Sequence, residues 1–144
     1  MLSSYSIFKS RAAIIMIALV AVLVLNSCEK YEKRAENSSF SLRAYASQLD
    51  ATKARLELNI TEGSIKGDCT SVFRMYDASG NTYNNFIVYF TDGSLVQTGK
   101  SWNFSDDGKM SFLFGSLSSG VYKVIVDVRR WYHTASTECE LIIE

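Results

Sequence analysis

The 144-residue chain carries 15 Lys and Arg against 15 Asp and Glu, with one histidine, three cysteines and no proline. Balanced charge excludes the basic footprint of a nucleic-acid binder and any long acidic solvating block. A single histidine excludes a two-histidine metal site, and turns must come from Gly, Asn and Asp rather than from proline.

The N-terminus has the layout of an export signal. Lys9 and Arg11 precede an uncharged run from Ala12 to Leu25. That run is short of the roughly 20 residues a spanning helix needs, but it suits a signal h-region of about 7–15 residues. It ends at Asn26-Ser27, directly before Cys28. Leu25-Asn26-Ser27-Cys28 resembles the lipobox of bacterial lipoproteins, whose cysteine thiol receives a diacylglycerol before cleavage. Asn26 stands where Ala, Ser, Thr or Val is commonest, and the looser Bacteroidetes form, ending Ser-Cys before charge, accommodates it. The resemblance implies removal of residues 1–27, a helical signal segment. It also implies a lipidated N-terminal Cys28 and attachment to the bacterial cell envelope at the outer membrane. The competing reading is a signal-anchor helix with Cys28 as a bystander.

Residues 28–38 alternate acids and bases without apolar periodicity and read as a solvated tether. From residue 39 the pattern becomes short alternating segments between turn residues. SFSLRAY (39–45) sets Phe40, Leu42 and Ala44 on one side. AYASQLDATKAR then suits a helical turn or a loop. RLELNIT (55–61) points Leu56, Leu58 and Ile60 one way, and CTSVFRMYD (69–77) aligns Cys69, Ser71, Phe73 and Met75. NFIVYF (85–90) is apolar on both faces, as a central or doubly covered strand would be. SLVQT (94–98) follows Asp92-Gly93 and can close a short hairpin with it.

KMSFLFGS (109–116) puts Met110, Phe112 and Phe114 on one face, and VYKVIVDVR (121–129) turns Tyr122, Val124, Val126 and Val128 inward. STECELIIE (136–144) alternates Thr137, Cys139, Leu141 and Ile143 with glutamates. Seven to eight short strands spaced near ten residues predict an all-β, antiparallel β-sandwich over 39–144, with a small barrel as the alternative. SLSSGVYKVIVDV also resembles the late-strand motif of immunoglobulin-like and fibronectin-type domains, which implies an immunoglobulin-like sandwich. The Cys–Trp–Cys spacing of antibody domains is absent, because Trp102 falls in a loop-like segment.

Two thiols remain beside Cys28. Cys69 and Cys139 share inward parity, and an exported domain permits disulfides. A bridge closing about 70 residues would restrict the unfolded chain by roughly 3–5 kcal/mol; the other reading is two free thiols acting as small hydrophobes. Catalysis finds little footing. No Gly-rich phosphate loop or nucleophile elbow occurs, and no cofactor is implied. Asp106 and Asp107 suit a turn better than a glycosidase acid pair, since strand neighbours face opposite ways. The stretch RRWYH brings Arg129, Arg130, Trp131, Tyr132 and His133 together between the last two strands, near the loop EGSIKGD (62–68). Trp, Tyr and Arg are the side chains of binding hot spots. Alternatively Trp131 caps the open end of the core while the arginines pair with acids. Trp102 and Phe104 read as a core plug under a long connection.

These features predict a non-catalytic, lipid-anchored binding or assembly module that contacts an envelope protein or a glycan. Lipobox, short tether and immunoglobulin-like strands, with FRMYDASGN, DGSL, SFLFGS and VIVDV in that order, also resemble the TraQ-type lipoproteins of Bacteroidetes conjugative transposons. That resemblance implies an accessory role in a transfer apparatus, although the tyrosine-rich middle of that family is not matched. A carbohydrate-active enzyme and a fimbrial or scaffold subunit are the further alternatives.

Overall fold

The computed structural model describes residues 39–97 and 99–144, so the expected signal segment, Cys28 and the expected tether lie outside the described residues. Within them there are seven strands: β1 (Phe40–Asp50), β2 (Lys53–Gly63), β3 (Thr70–Asp77), β4 (Ile87–Phe90), β5 (Lys109–Gly115), β6 (Gly120–Arg130) and β7 (His133–Ile143). They form an antiparallel sheet in the order β1-β2-β5-β4 and a second in the order β3-β6-β7. This is the strand arrangement of an immunoglobulin-like sandwich of the seven-strand type.

The alternating side chains meet between the sheets. Leu56 and Leu58 of β2, Phe112 and Phe114 of β5, Met75 of β3, Val124, Val126 and Val128 of β6, and Leu141 and Ile143 of β7 are all buried. Phe73 sets its ring edge-on to Phe112 and Phe114 at 5.0 and 5.6 Å between centroids. Such pairs each add about 0.5–1.5 kcal/mol beyond the area they bury.

Two sequence expectations are corrected. AYASQLDATKAR is neither a helical turn nor an open loop, because β1 and β2 run on to a tight hairpin with Asp50 opposite Lys53. Asp50 Oδ1 accepts from the Thr52 backbone N–H at 2.8 Å and the Thr52 hydroxyl at 3.2 Å, a local bond that folds the chain back. The segment 85–90 is not central either, since β4 lies at a sheet edge. Its apolar residues face two ways for different reasons. Phe86 and Phe90 pack on Phe114 and Phe112, Tyr89 lies against Gly115, and Ile87 stays exposed. Residues 94–97 form no full strand, but they cover this edge. Phe90 N–H donates to the Ser94 carbonyl and Val96 N–H to the Val88 carbonyl, with a single bridge between Tyr89 and Leu95.

The long connection from β4 to β5 crosses to the other sheet. Cys69 and Trp102 exchange both backbone hydrogen bonds at 2.8 Å. The Trp102 indole is buried, donates from Nε1 to Ser71 Oγ at 3.1 Å, and meets Phe104 and Phe112 edge-on. The core-plug reading of Trp102 and Phe104 therefore holds, and Ser71 sits in an inward row because it satisfies the indole N–H. At the opposite end of the sandwich Tyr122 Oη donates to the Ser118 carbonyl at 2.8 Å, the tyrosine corner of immunoglobulin-like folds. Tyr83, unremarked in the sequence, stacks near Tyr122 and donates to the Ser116 carbonyl.

Truncation of this plug should be felt by the whole domain. Trp102→Ala is expected to cost about 3–5 kcal/mol, read as a lower midpoint in denaturant unfolding. A loss below about 1 kcal/mol, the size of a surface change, would remove Trp102 from the core.

Candidate functional site

The inward row of β6 does not stop at Val128. Arg130 continues it and is fully buried. Its guanidinium carbon lies 4.3 Å from the centre of the Phe40 ring, a cation–π stack at the start of β1. Its aliphatic stem fills the space beside Gly67, where a Cβ would come within 2.9 Å of Cδ. Burial pushes the Arg130 guanidinium down from its ordinary range, while Cys69 pulls it the other way. The expectation that Arg130 presents itself to a partner is corrected: Arg130, not Trp131, closes this end of the core. Alternation at 122, 124, 126 and 128 was the signal that could have found it.

Trp131 and Tyr132 alone form the turn, since Arg130 pairs with His133 across the hairpin. Trp131 has φ 56°, a left-handed conformation that costs a bulky L-residue about 1–2 kcal/mol. Trp131 is 48% exposed and Tyr132 62% exposed. Arg129 is exposed beside them and donates from Nε to the Trp131 carbonyl at 3.4 Å. His133 starts β7, is half-buried, and keeps Nε2 away from solvent with no hydrogen-bond partner among the described residues, so it serves the base of the turn rather than its tip. The exposed set is therefore Arg129, Trp131 and Tyr132. The loop 62–68 sits beside it, as expected, with Gly67 against Arg130.

Cys69 and Cys139 are free thiols. Cys139 lies opposite Val124, which lies opposite Met75, and Cys69 precedes Met75 by six residues, about 20 Å along a strand. A disulfide needs Cα atoms about 4–7 Å apart, so shared parity placed both thiols inward but at distant levels of the sandwich. Burial raises each to about 11. Asp106 and Asp107 stand in a turn: Gly108 N–H donates to the Ser105 carbonyl and Lys109 N–H to Asp107 Oδ1. Among the described residues no three His, Cys, Asp or Glu gather as metal ligands.

No protein-family model and no curated protein matches the chain. Solved structures with a similar layout include a conjugative transposon lipoprotein from Bacteroides eggerthii, 10% identical, covering 72% of this chain and 97% of that one with a TM-score of 0.47. A conjugate transposon protein from Bacteroides vulgatus is 9% identical, covering 73% of this chain and 85% of its own, with a TM-score of 0.45. The periplasmic chaperone SfaE is 9% identical over 72% of this chain and 55% of its own, with a TM-score of 0.44. At these values the likeness carries neither activity nor partner.

Trp131 and Arg130 should separate cleanly in unfolding experiments. Trp131→Ala is expected to change stability by no more than about 1 kcal/mol, and Trp131→Gly to raise it slightly by relieving the left-handed strain. Arg130→Ala should cost about 2–4 kcal/mol through lost packing. The reverse order of effects would return Trp131 to the core.

The thiols give a second check. Because burial favours the neutral form, their contribution to stability is complete below about pH 9 and is lost as pH rises toward 11. At pH 8, alkylation of the native chain should run on the order of 100-fold slower than in denaturant. A mass showing an intact bridge would overturn the assignment.

Proposed function

We propose that this chain is a lipid-anchored, non-catalytic binding or assembly module of the bacterial cell envelope that acts by contact through Arg129, Trp131 and Tyr132. One observation supports this above the others. A bulky indole is held half exposed in the left-handed region, on a turn whose base is immobilised by buried Arg130. Strain of that kind persists only where the surroundings over-determine it, and it collects at ligand clamps and active sites. Trp, Tyr and Arg supply large contact area with polar ends. An envelope protein or a glycan is the partner class these side chains suit on residue chemistry alone.

A narrower reading is an accessory lipoprotein of a conjugative-transposon transfer apparatus. The order of FRMYDASGN, DGSL, SFLFGS and VIVDV favours it. Conjugation genes beside this one would support that role, whereas an outer-membrane transporter pair would point to glycan use. The enzyme reading has less support, because Asp106 and Asp107 lie in a turn. Turnover lost on Asp106→Ala or Asp107→Ala would restore it.

The anchor is tested directly. Cys28→Ser is expected to abolish acylation and leave a soluble or uncleaved precursor, read by mass and by membrane fractionation. Unchanged partitioning together with a mature N-terminus at residue 28 would defeat the lipid-anchor reading.

A further inference from the structure

We infer that the component met by the Arg129–Trp131–Tyr132 tip is the headgroup layer of the membrane that holds the chain. This rests on the reading of Cys28 as the lipid anchor, and it replaces the protein or glycan suggested by residue chemistry alone.

The inference comes from where the chain enters the sandwich. Phe40 opens β1, pairs with Gly63, and carries Arg130 over its ring. Trp131 follows Arg130 directly. The entry point and the aromatic tip therefore share one end of the domain. Phe40 stands twelve positions after Cys28, a contour of at most about 40 Å. The eleven-residue strands β1, β6 and β7 each span about 35 Å. The far end, where Gln48 bonds the backbone of Glu144, could reach the same surface only if the tether ran back alongside the domain at nearly full stretch. The near end needs almost none of that length.

Side-chain chemistry at the near end fits a bilayer interface. Trp and Tyr partition to the headgroup level, where an apolar ring and a polar tip are both satisfied. Arg129, Lys66 and Lys109 are exposed at this end, but so are Glu62, Asp68, Asp106 and Asp107, so net charge does not draw it to an anionic surface. Attraction thus comes from the rings rather than from net charge, and it should survive salt. Acyl chains already anchor the protein. Contact by the tip instead fixes its orientation, with the end bearing Tyr122 and Glu144 held outward. The short tether makes the contact intramolecular, which raises its effective concentration.

The test uses the full-length protein purified from envelopes and reconstituted into phosphatidylethanolamine–phosphatidylglycerol vesicles with brominated acyl chains. Trp102 is buried and supplies a constant emission, so comparison with Trp131→Phe isolates Trp131. Trp131 emission is expected to fall by about half on bromination, as for an interfacial ring. The fall should persist at about 1 M salt, where the screening length is about 3 Å. Acylation of Cys28 is measured by mass on the same samples. Acylated protein without quenching overturns the inference and leaves the anchor standing. Quenching without acylation defeats the anchor but leaves interfacial contact by the tip. Absence of both defeats both, and quenching removed by salt overturns the aromatic basis. A photo-crosslinking residue in place of Tyr132 gives an independent readout in cells, where capture of lipid supports the inference and exclusive capture of one envelope protein overturns it.

Discussion

The two-sheet structure depends on the clamp between Cys69 and Trp102. Their paired backbone hydrogen bonds tie the connection after β4 to the front of β3, and the Trp102 ring then enters the space between the sheets. Antibody-type domains join their sheets by a disulfide over a tryptophan. Here a tryptophan arriving from the connection does the packing without a covalent bridge. The half-buried Ser71 hydroxyl completes the arrangement by accepting the indole N–H, which would otherwise be stranded in an apolar interior.

A second constraint lies at the end where the chain enters. Arg130 occupies a core position as a charged side chain, with its stem against Gly67 and its guanidinium over Phe40. A residue larger than glycine at position 67 would collide with that stem and would also have to adopt φ 118°. The backbone of β6 is therefore held up to its last residue, leaving only Trp131 and Tyr132 to turn the chain. A two-residue turn favours a positive φ at its first position, and here an indole occupies it. Burial of Arg130 and exposure of Trp131 are thus two sides of the same geometry.

Most of the fold was legible in the residues. Period-two alternation placed Leu56, Leu58, Phe112, Phe114, Val124, Val126 and Val128 in the core, because a pleated strand sends successive side chains to opposite faces. The late-strand stretch SLSSGVYKVIVDV was legible with Tyr122 turned inward, whereas the bond from its hydroxyl to the Ser118 carbonyl came from the structure. The site was less so. RRWYH reads as five residues of loop, yet two of them make the turn and three belong to strands. Charge suggested exposure for Arg130, where the strand period demanded burial. The period prevailed because Phe40 and Gly67, distant in sequence, supplied a surface for the guanidinium and room for its stem.

By itself the sequence determined most of the strands and their inward faces, which follow from interactions within a few positions along the chain. It also assigned inward parity to Cys69 and Cys139. Only the tertiary structure decided how far apart those thiols stand, that the apolar segment 85–90 lies at an edge, and that an arginine rather than a tryptophan seals the end beside the entry point. Each depends on register between strands distant in sequence. Register is set by how both sheets pack together, which no local period records.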